Sequence, residues 1–154
     1  MSAQPTSWMT PLLDLTTSLG NAGGLIVALP TYRPDLAKAI AYRLEMRFFD
    51  FREEVMSRHG AAAGAIPLVA LDHCLHGLAS AGGAAVFNVD ALLSTKTEDE
   101  RKAWLERFVR TQWPTLILLP LTLFADDART LTDRVFVPDG DELPQQGIVS
   151  RLVH

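Results

Sequence analysis

The chain has 154 residues and a formal net charge of −4, and 48% of its residues are hydrophobic. These values are typical of one globular domain with a sizeable core, and they exclude a low-complexity chain. The negative charge gives no electrostatic reason to expect nucleic acid as the main partner, although it leaves a local basic patch open.

The sequence favours a cytoplasmic protein. Cys74 is the single cysteine, so no intrachain disulfide can form, and a reducing compartment is the simplest interpretation. Residues 1–20 lack the basic and then apolar pattern of a secretory signal. No apolar run approaches the ~20 residues that a membrane-spanning helix needs, so we expect no membrane contact.

Residues 1–22 are predicted to form an N-terminal extension with one short helix, and residues 23–154 a single domain with a C-terminal tail. Residues 1–10 are polar and contain Pro5, which predicts irregular structure. Trp8 lies in this stretch and is interpreted as an anchor for a partner. The leucines from Leu12 onward favour a short helix that buries one face.

Five strand-like segments follow in the domain, at residues 25–29, 47–51, 84–90, 115–119 and 134–139. Helical patterns alternate with them, and one begins at Thr97, where Thr97 and Glu100 have the spacing of a capping box. A last short helix is expected to end near Thr130 or Thr132. This order predicts a three-layer α/β domain with a mostly parallel sheet of about five strands. The first, third and fourth strands should be central because they are apolar throughout.

The turn after the first strand stands where a nucleotide-binding protein grips phosphate. Residues 28–35 read ALPTYRPD and contain no glycine to bring backbone N–H groups close to phosphates. Pro34 and Asp35 stand where a lysine and a hydroxyl residue are needed, and a carboxylate there repels phosphate. Only Thr31 and Arg33 remain as groups that can meet an anion at a helix N-terminus. We therefore expect no nucleotide hydrolysis and no cofactor here.

The end of the third strand indicates the same loss of chemistry. Asn88 occupies the place of the aspartate that supports a metal ion in such proteins, and Asp90 lies two residues further on. Asn88 lacks the charge, and Asp90 would point to the opposite face if the strand continued. We interpret both residues as ending the strand and capping the next segment, and we expect neither metal binding nor catalysis.

The order of these motifs resembles the small P-loop-like or RecA-like accessory proteins of bacterial BREX-type phage-exclusion loci, of the kind that lack an intact phosphate loop. Four stretches carry the resemblance: residues 25–40, 47–56, 85–93 and 115–131. It implies a degenerate P-loop NTPase or RecA-like fold. It also implies a non-catalytic protein-interaction module of an antiviral defence complex, whose partners are the other protein subunits.

Two alternatives stay open. One is a small nucleotide-binding protein with an atypical phosphate loop. The other is an SOS-type cell-division inhibitor that binds FtsZ, because residues 77–87, GLASAGGAAVF, loosely resemble the joint before a buried strand in that family.

Other chemical patterns are interpreted as structural. Asp72, His73 and His76 can share a helical face, but they fall short of the ligands that a zinc site needs. Cys74 lies inside a helical pattern, without a basic neighbour that would clearly lower its pKa. The basic residues of the stretch 97–110 alternate with acidic ones, which is typical of a solvated helix face.

Partner contacts are predicted at two places. In the loop of residues 30–34, two prolines hold Tyr32 and Arg33, and both residue types are common interface anchors. The alternative is that Tyr32 covers the sheet end and Arg33 is solvated. In the tail, Ile148 and Leu152 belong to an apolar group with Val149 and Val153, which we expect to dock on the domain or on a partner.

Overall fold

The computed structural model describes residues 7–129 and 134–145. Its single sheet has five strands: β1 Gly23–Ala28, β2 Arg47–Asp50, β3 Ala84–Phe87, β4 Leu116–Leu121 and β5 Val135–Phe136. The strand order is β2-β3-β4-β1-β5, and every pair of neighbours is parallel. The predicted α/β class, strand number and central strands are therefore confirmed.

Among the described residues, seven α-helices connect and cover the strands: α1 Thr10–Ser18, α2 Pro34–Arg43, α3 Phe51–Glu54, α4 Leu68–Ser80, α5 Val89–Leu93, α6 Glu98–Arg110 and α7 Ala125–Arg129. Three 3₁₀-helices lie at Ser7–Met9, Met56–Ala65 and Gly140–Glu142. Within the described ranges, no helix has both the length and the apolar character that crossing a membrane requires.

The helices lie on both faces of the sheet. The connection from β1 to β2 runs in one direction along the sheet, and the later connections run in the other. Because such crossovers are right-handed, α2 covers one face and the later helices cover the opposite face. The core is correspondingly divided: one buried cluster contains residues of α1 and α2, and the other contains residues of α4, α5 and α6.

The segment before β1 is part of the core, which corrects the expectation for Trp8. Trp8 is only 1% exposed, and it packs with Met9 and Leu12 in the cluster that also holds α2. The reason is that Trp8 and Met9 extend the apolar face of α1 by one turn, and burying an aromatic ring stabilises the fold more than leaving it in water. Trp8 is therefore not an exposed partner anchor.

Helix α6 forms as its sequence predicts. Thr97 accepts from the Glu100 backbone and Glu100 accepts from the Thr97 backbone, which is the expected capping box. The predicted inner stripe, Trp104, Leu105, Phe108 and Val109, is buried.

Two segments differ from the predictions. The sequence of residues 52–60 predicts a short helix closed by Gly60. The structure has a single α-turn followed by a 3₁₀ segment, because Gly60 adopts φ +53° and none of residues 56–65 is buried to hold a regular helix. The last strand has two residues instead of six. It pairs with β1 at the sheet edge, and Pro138, which has no N–H, cannot extend the pairing.

Glycines lie where the strands begin. A Cβ on Gly83 would collide with the carbonyl oxygen of Leu116, and one on Gly24 would lie 2.8 Å from the Phe108 ring. Gly83 also has φ +93°, which side chains rarely tolerate. These close approaches fix the amino ends of the strands against β4 and α6. We call this end of the sheet the amino edge, and the opposite end the carboxyl edge.

The sheet opens between β3 and β4 towards the carboxyl edge. Pairing of β3 with β4 stops at Ala85 and Leu118, whereas β1 and β4 pair as far as Ala28 and Leu121. The carbonyl of Leu121 accepts from the N–H of Leu29, the residue after β1, so its predecessor Pro120 faces β3. Pro120 has no N–H to donate, and the gap that results is the place where α5 begins.

Candidate functional site

The carboxyl edge brings together the loops that follow β1, β3, β4 and β5. All strands run the same way, so these loops meet on one side of the molecule. The chain leaves β1 towards one face of the sheet and β4 towards the other. Open α/β sheets bind their ligands in the crevice at such a switch point.

The loop after β1 is held by its own side chains. Arg33 donates from Nε to Asp35 Oδ1 at 2.9 Å and from Nη2 to Asp35 Oδ2 at 2.7 Å. Nη2 also donates to the carbonyl of Pro144 at 2.7 Å, which ties the loop to the segment beyond β5. The hydrogen bonds to Asp35 raise the pKa of the Arg33 guanidinium, against the effect of its burial, so it stays protonated.

In this arrangement the start of α2 does not form a phosphate-binding site. Asp35 lies in the first helical turn and is buried, so a carboxylate already occupies the place where an anion would interact with the helix dipole. Its counter-charge is Arg33, one of the two groups that we considered as anion contacts. Thr31 offers its backbone carbonyl to the Thr122 hydroxyl at 3.4 Å.

Asn88 organises the end of β3. It adopts a left-handed conformation with φ +65°, which asparagine tolerates, and α5 starts at the next residue. Its Nδ2 donates to Asp50 at 3.0 and 3.1 Å and to the Tyr32 hydroxyl at 3.3 Å. Asp50 also accepts from the backbone of Arg52 and Glu53 as the N-cap of α3. The Asp50 carboxylate therefore has structural partners on both oxygens.

Asp90 bridges the gap in the sheet. It is 8% exposed, and its Oδ2 accepts from the backbone N–H groups of Thr122 at 3.0 Å and Leu123 at 3.1 Å. Asn88 ends β3 as the sequence predicted. The role of Asp90 is different from the predicted local cap, because its partners lie in the loop after β4 and sequence spacing does not reveal them.

Phe124 follows Leu123 in the loop after β4 and has a backbone conformation that is unusual for a bulky residue. Its φ is +64°, a conformation that costs a bulky side chain ~1–3 kcal/mol. The Arg101 guanidinium lies 4.3 Å from the centre of its ring. Backbone strain of this kind concentrates at functional sites, so the loop after β4 belongs to the candidate site.

An open groove of about 410 Å³ lies between the strand ends. Its walls are residues 28–30 after β1, Thr122 and residues 124–126 after β4, and Val137 and Pro138 after β5. We call it the edge groove. Three exposed apolar side chains lie in the loops of this edge: Tyr32, Leu123 and Val137, with exposures of 54%, 53% and 44%. Of these, Val137 lines the groove.

The predicted contact residues have different environments. Tyr32 is exposed on one side, and its ring contacts Phe87 with 5.4 Å between centroids, so it also covers the end of the sheet. Arg33 is neither solvated nor free, because its side chain is 18% exposed and is held by Asp35 and Pro144. Ile148 and Leu152 lie outside the described residues. Leu123 and Val137 were missed, since Leu123 is a single apolar residue in a loop and Val137 lies in the stretch 134–139 that the sequence predicts as a strand.

The other chemical patterns have structural partners. Asp72 accepts from Trp104 Nε1 at 2.7 Å and from Arg107 at 2.9 Å, which ties α4 to α6. Within residues 7–129 and 134–145, no group of three or more His, Cys, Asp or Glu side chains is placed to hold a metal ion. Burial raises the pKa of the Cys74 thiol, which lowers its reactivity.

Three of the four basic residues of α6 pair with carboxylates, as its mixed charge predicts. Lys102 lies 2.8 Å from Glu98, and Arg110 lies 2.9 Å from Glu106. Arg107 binds Asp72. This helix therefore offers a balanced surface, and a phosphate backbone would have to compete with these carboxylates.

Comparison with protein-family models, with curated proteins and with solved structures finds no match to this chain.

Proposed function

We propose that this chain is a non-catalytic interaction module that contacts another protein through the carboxyl edge of its sheet. One observation carries the proposal. Of the five exposed large apolar side chains among the described residues, three, Tyr32, Leu123 and Val137, follow the adjacent strands β1, β4 and β5. Apolar groups exposed at one edge of a sheet are typical of a surface that binds a partner.

The conformational rigidity of the loop after β1 supports this function. Pro30 and Pro34 restrict its backbone, Arg33 fixes it to Asp35 and to Pro144, and the Tyr32 hydroxyl accepts from Asn88. A loop that is already ordered loses little conformational entropy when it binds. Tyrosine is also among the residues that contribute most to interface affinity.

The absence of nucleotide chemistry from this edge supports a binding role rather than catalysis. The loop after β1 has no glycine or lysine, and Asp35 stands at the start of α2. At the end of β3, Asn88 takes the place of a metal-supporting carboxylate. The all-parallel sheet combined with these replacements supports a degenerate P-loop or RecA-like domain.

The setting that we propose is an antiviral defence complex of the BREX type. The support is the sequence resemblance, whose four stretches supply β1 and its loop, β2, β3 and β4 with its loop. These are the elements that build most of the carboxyl edge. The partner would then be another protein subunit of the complex.

The two tyrosines of the chain allow a matched test. Tyr32 lies at the carboxyl edge, whereas Tyr42 lies on α2 and is 65% exposed. The wild type, Tyr32→Ala and Tyr42→Ala are used to capture proteins from the native host, and captured proteins are quantified by mass spectrometry. Tyr32→Ala should weaken binding of one defined partner by ~2 kcal/mol or more, and Tyr42→Ala should not. Equal capture by all three proteins would refute the proposed contact surface.

A nucleotide-binding protein with an atypical loop is the second candidate, because the edge groove has the size of a small-molecule site and lies at the switch point. Thermal unfolding with ATP or GTP and magnesium separates the two. A ligand at 100 times its Kd adds ~2.7 kcal/mol to the free energy of unfolding. We expect no change in Tm, and a clear increase would favour the second candidate.

A further inference from the structure

We infer that the carboxyl edge binds a protein segment in which basic side chains accompany apolar ones. This inference rests on the proposed function and deepens it, because it names the chemistry of the partner that meets Tyr32. Its basis is a set of contacts that joins the exposed apolar residues of this edge to a stretch with three exposed carboxylates. An acidic partner segment would be repelled by such a surface.

The loops after β1 and β4 form one continuous apolar surface. The Thr122 hydroxyl donates to the carbonyl of Thr31 at 3.4 Å, so the two loops touch directly. The next residue in each loop is a large apolar one, Tyr32 in the first and Leu123 in the second, and about half of each side chain is exposed. Both can therefore contact the same partner segment.

The stretch after β5 adds negative charge beside Tyr32. Arg33, its neighbour in sequence, donates to the Pro144 carbonyl at 2.7 Å, which fixes this stretch against the loop after β1. Three residues of the stretch carry exposed carboxylates: Asp139, Asp141 and Glu142. Among the described residues, none of these three forms an ion pair. Their charges are therefore available to a partner.

The net charge of the chain is concentrated in this part of the sequence. Residues 122–145 contain six acidic and two basic residues, which gives them a formal charge of −4. The whole chain also has a charge of −4, from 18 acidic and 14 basic residues, so the other residues contain twelve of each and sum to zero. Arg33 holds Asp35, and Arg134 donates to the carbonyl of Gly24 at the amino edge. A basic segment is therefore attracted to the carboxyl edge.

The apolar and charged groups have different roles in this contact. Tyr32 and Leu123 provide the area that is removed from water, which contributes most of the affinity. Asp141 and Glu142 lie at the rim, where charges mainly raise the association rate and select the partner. Binding should therefore weaken as salt is added, because salt screens exposed charges.

Three synthetic peptides test the inference on the full chain. All three share one amphipathic helical pattern of leucines, and their polar positions are all lysine, all glutamine or all glutamate. Binding is measured by titration calorimetry at about 0.05 M and about 0.5 M salt. At low salt the lysine peptide should bind about tenfold more tightly than the glutamine peptide, and the glutamate peptide should not bind. High salt should remove most of this preference.

Two double variants with the same change of charge locate the contact. Asp141→Asn with Glu142→Gln alters the carboxyl edge, and it leaves Asp139 in place because Asp139 accepts from the backbone of Asp141. Asp14→Asn with Glu45→Gln alters exposed residues on α1 and in the turn after α2. The first variant should weaken binding of the lysine peptide about fivefold, and the second less than about twofold.

Either of two results would overturn the inference. One is a lysine peptide that does not bind, or that binds no better than the glutamine peptide. The other is equal weakening by the two double variants, which would show attraction to net charge alone. Neither result touches the proposed function, since the loss of a host partner in Tyr32→Ala does not depend on that partner's charge. Conversely, unchanged capture by Tyr32→Ala would refute the proposed contact and leave the peptide results standing.

Discussion

The amino and carboxyl edges of this sheet use backbone-restricting residues in opposite ways. At the amino edge, Gly24 and Gly83 let backbone and rings approach more closely than any side chain allows. At the carboxyl edge, Pro30 and Pro34 stiffen a loop, and Tyr32 projects from it into solvent. A phosphate-binding protein would need glycines in the loop after β1. In this protein the glycines allow close packing at the amino edge, and the loop at the carboxyl edge presents an exposed surface.

Because the two edges differ in this way, substitutions at the amino edge should affect stability and substitutions at the carboxyl edge should affect binding. Substitutions of Gly24 or Gly83 at the amino edge should destabilise the protein, because the added Cβ meets closely packed atoms of α6 or β4. Substitutions of the exposed residues at the carboxyl edge should leave the free energy of unfolding nearly unchanged and should affect binding. Between the two lie buried polar residues of the carboxyl edge, which hold the loops in place.

The largest effect is expected at Gly83. In Gly83→Ala the new Cβ meets the Leu116 carbonyl, and the residue keeps a positive φ, so we expect a loss of about 3 kcal/mol or more. Urea unfolding measures the loss. Gly82→Ala is the control, since Gly82 also has a positive φ but no atom within 4 Å of the added Cβ. It should lose only about 1 kcal/mol from backbone strain. Equal losses would show that close packing at Gly83 is unimportant.

Asp90 comes next, as a buried acceptor of the carboxyl edge. Asp90→Ala leaves the N–H groups of Thr122 and Leu123 without their acceptor, which should cost about 2 kcal/mol and speed amide exchange at both residues. Asp90→Asn retains a carbonyl oxygen and should lose less than half as much. An Asp90→Ala protein with normal exchange in this loop would contradict the bridging role.

Arg33 should contribute less to stability. Arg33→Ala removes the two-pronged contact with Asp35 and the bond to Pro144, and we expect a loss of about 1–2 kcal/mol in urea unfolding. The control is Arg110→Ala, whose ion pair with Glu106 is exposed and should be worth less than about 0.5 kcal/mol. If both variants lose the same amount, the loop after β1 is not held by Arg33.

The smallest effect on stability is expected at Leu123. Leu123 is 53% exposed, so Leu123→Ser should change the free energy of unfolding by less than about 0.5 kcal/mol. Thermal unfolding checks this. Leu118→Ser, in the buried middle of β4, is the contrasting variant and should lose several times more. A large loss at Leu123 would mean that this side chain serves the core rather than a contact surface.

Local sequence patterns predict much of the fold. The apolar runs of β1, β3 and β4 predict central strands, and all three are buried throughout. The capping box at Thr97 and the stripe from Trp104 to Val109 predict α6 because both depend only on residues close in sequence. The short β5 and the 3₁₀ segment after α3 were harder to predict from the sequence, because a two-residue strand and a helix interrupted by glycine have little periodicity.

The site was only partly predictable. The sequence indicated the loop of residues 30–34 and the loss of phosphate chemistry, because missing glycine and lysine are visible without a structure. It did not indicate Leu123, Val137 or the strained Phe124, whose exposure and backbone depend on neighbours far along the chain. It also misplaced Trp8, since a polar surrounding sequence conceals that the ring completes the face of α1.

By itself, the sequence determined the alternation of strands and helices, the central position of three strands and the absence of a phosphate loop. These follow from hydrophobic periodicity and from residue chemistry at short range. Only the tertiary structure decided that Asp90 reaches the loop after β4, that Arg33 binds Pro144, and that three exposed apolar residues lie in loops at one edge of the sheet. Residues 32, 123 and 137 are far apart along the chain, and a parallel sheet brings them together because all of its strands end at the same edge.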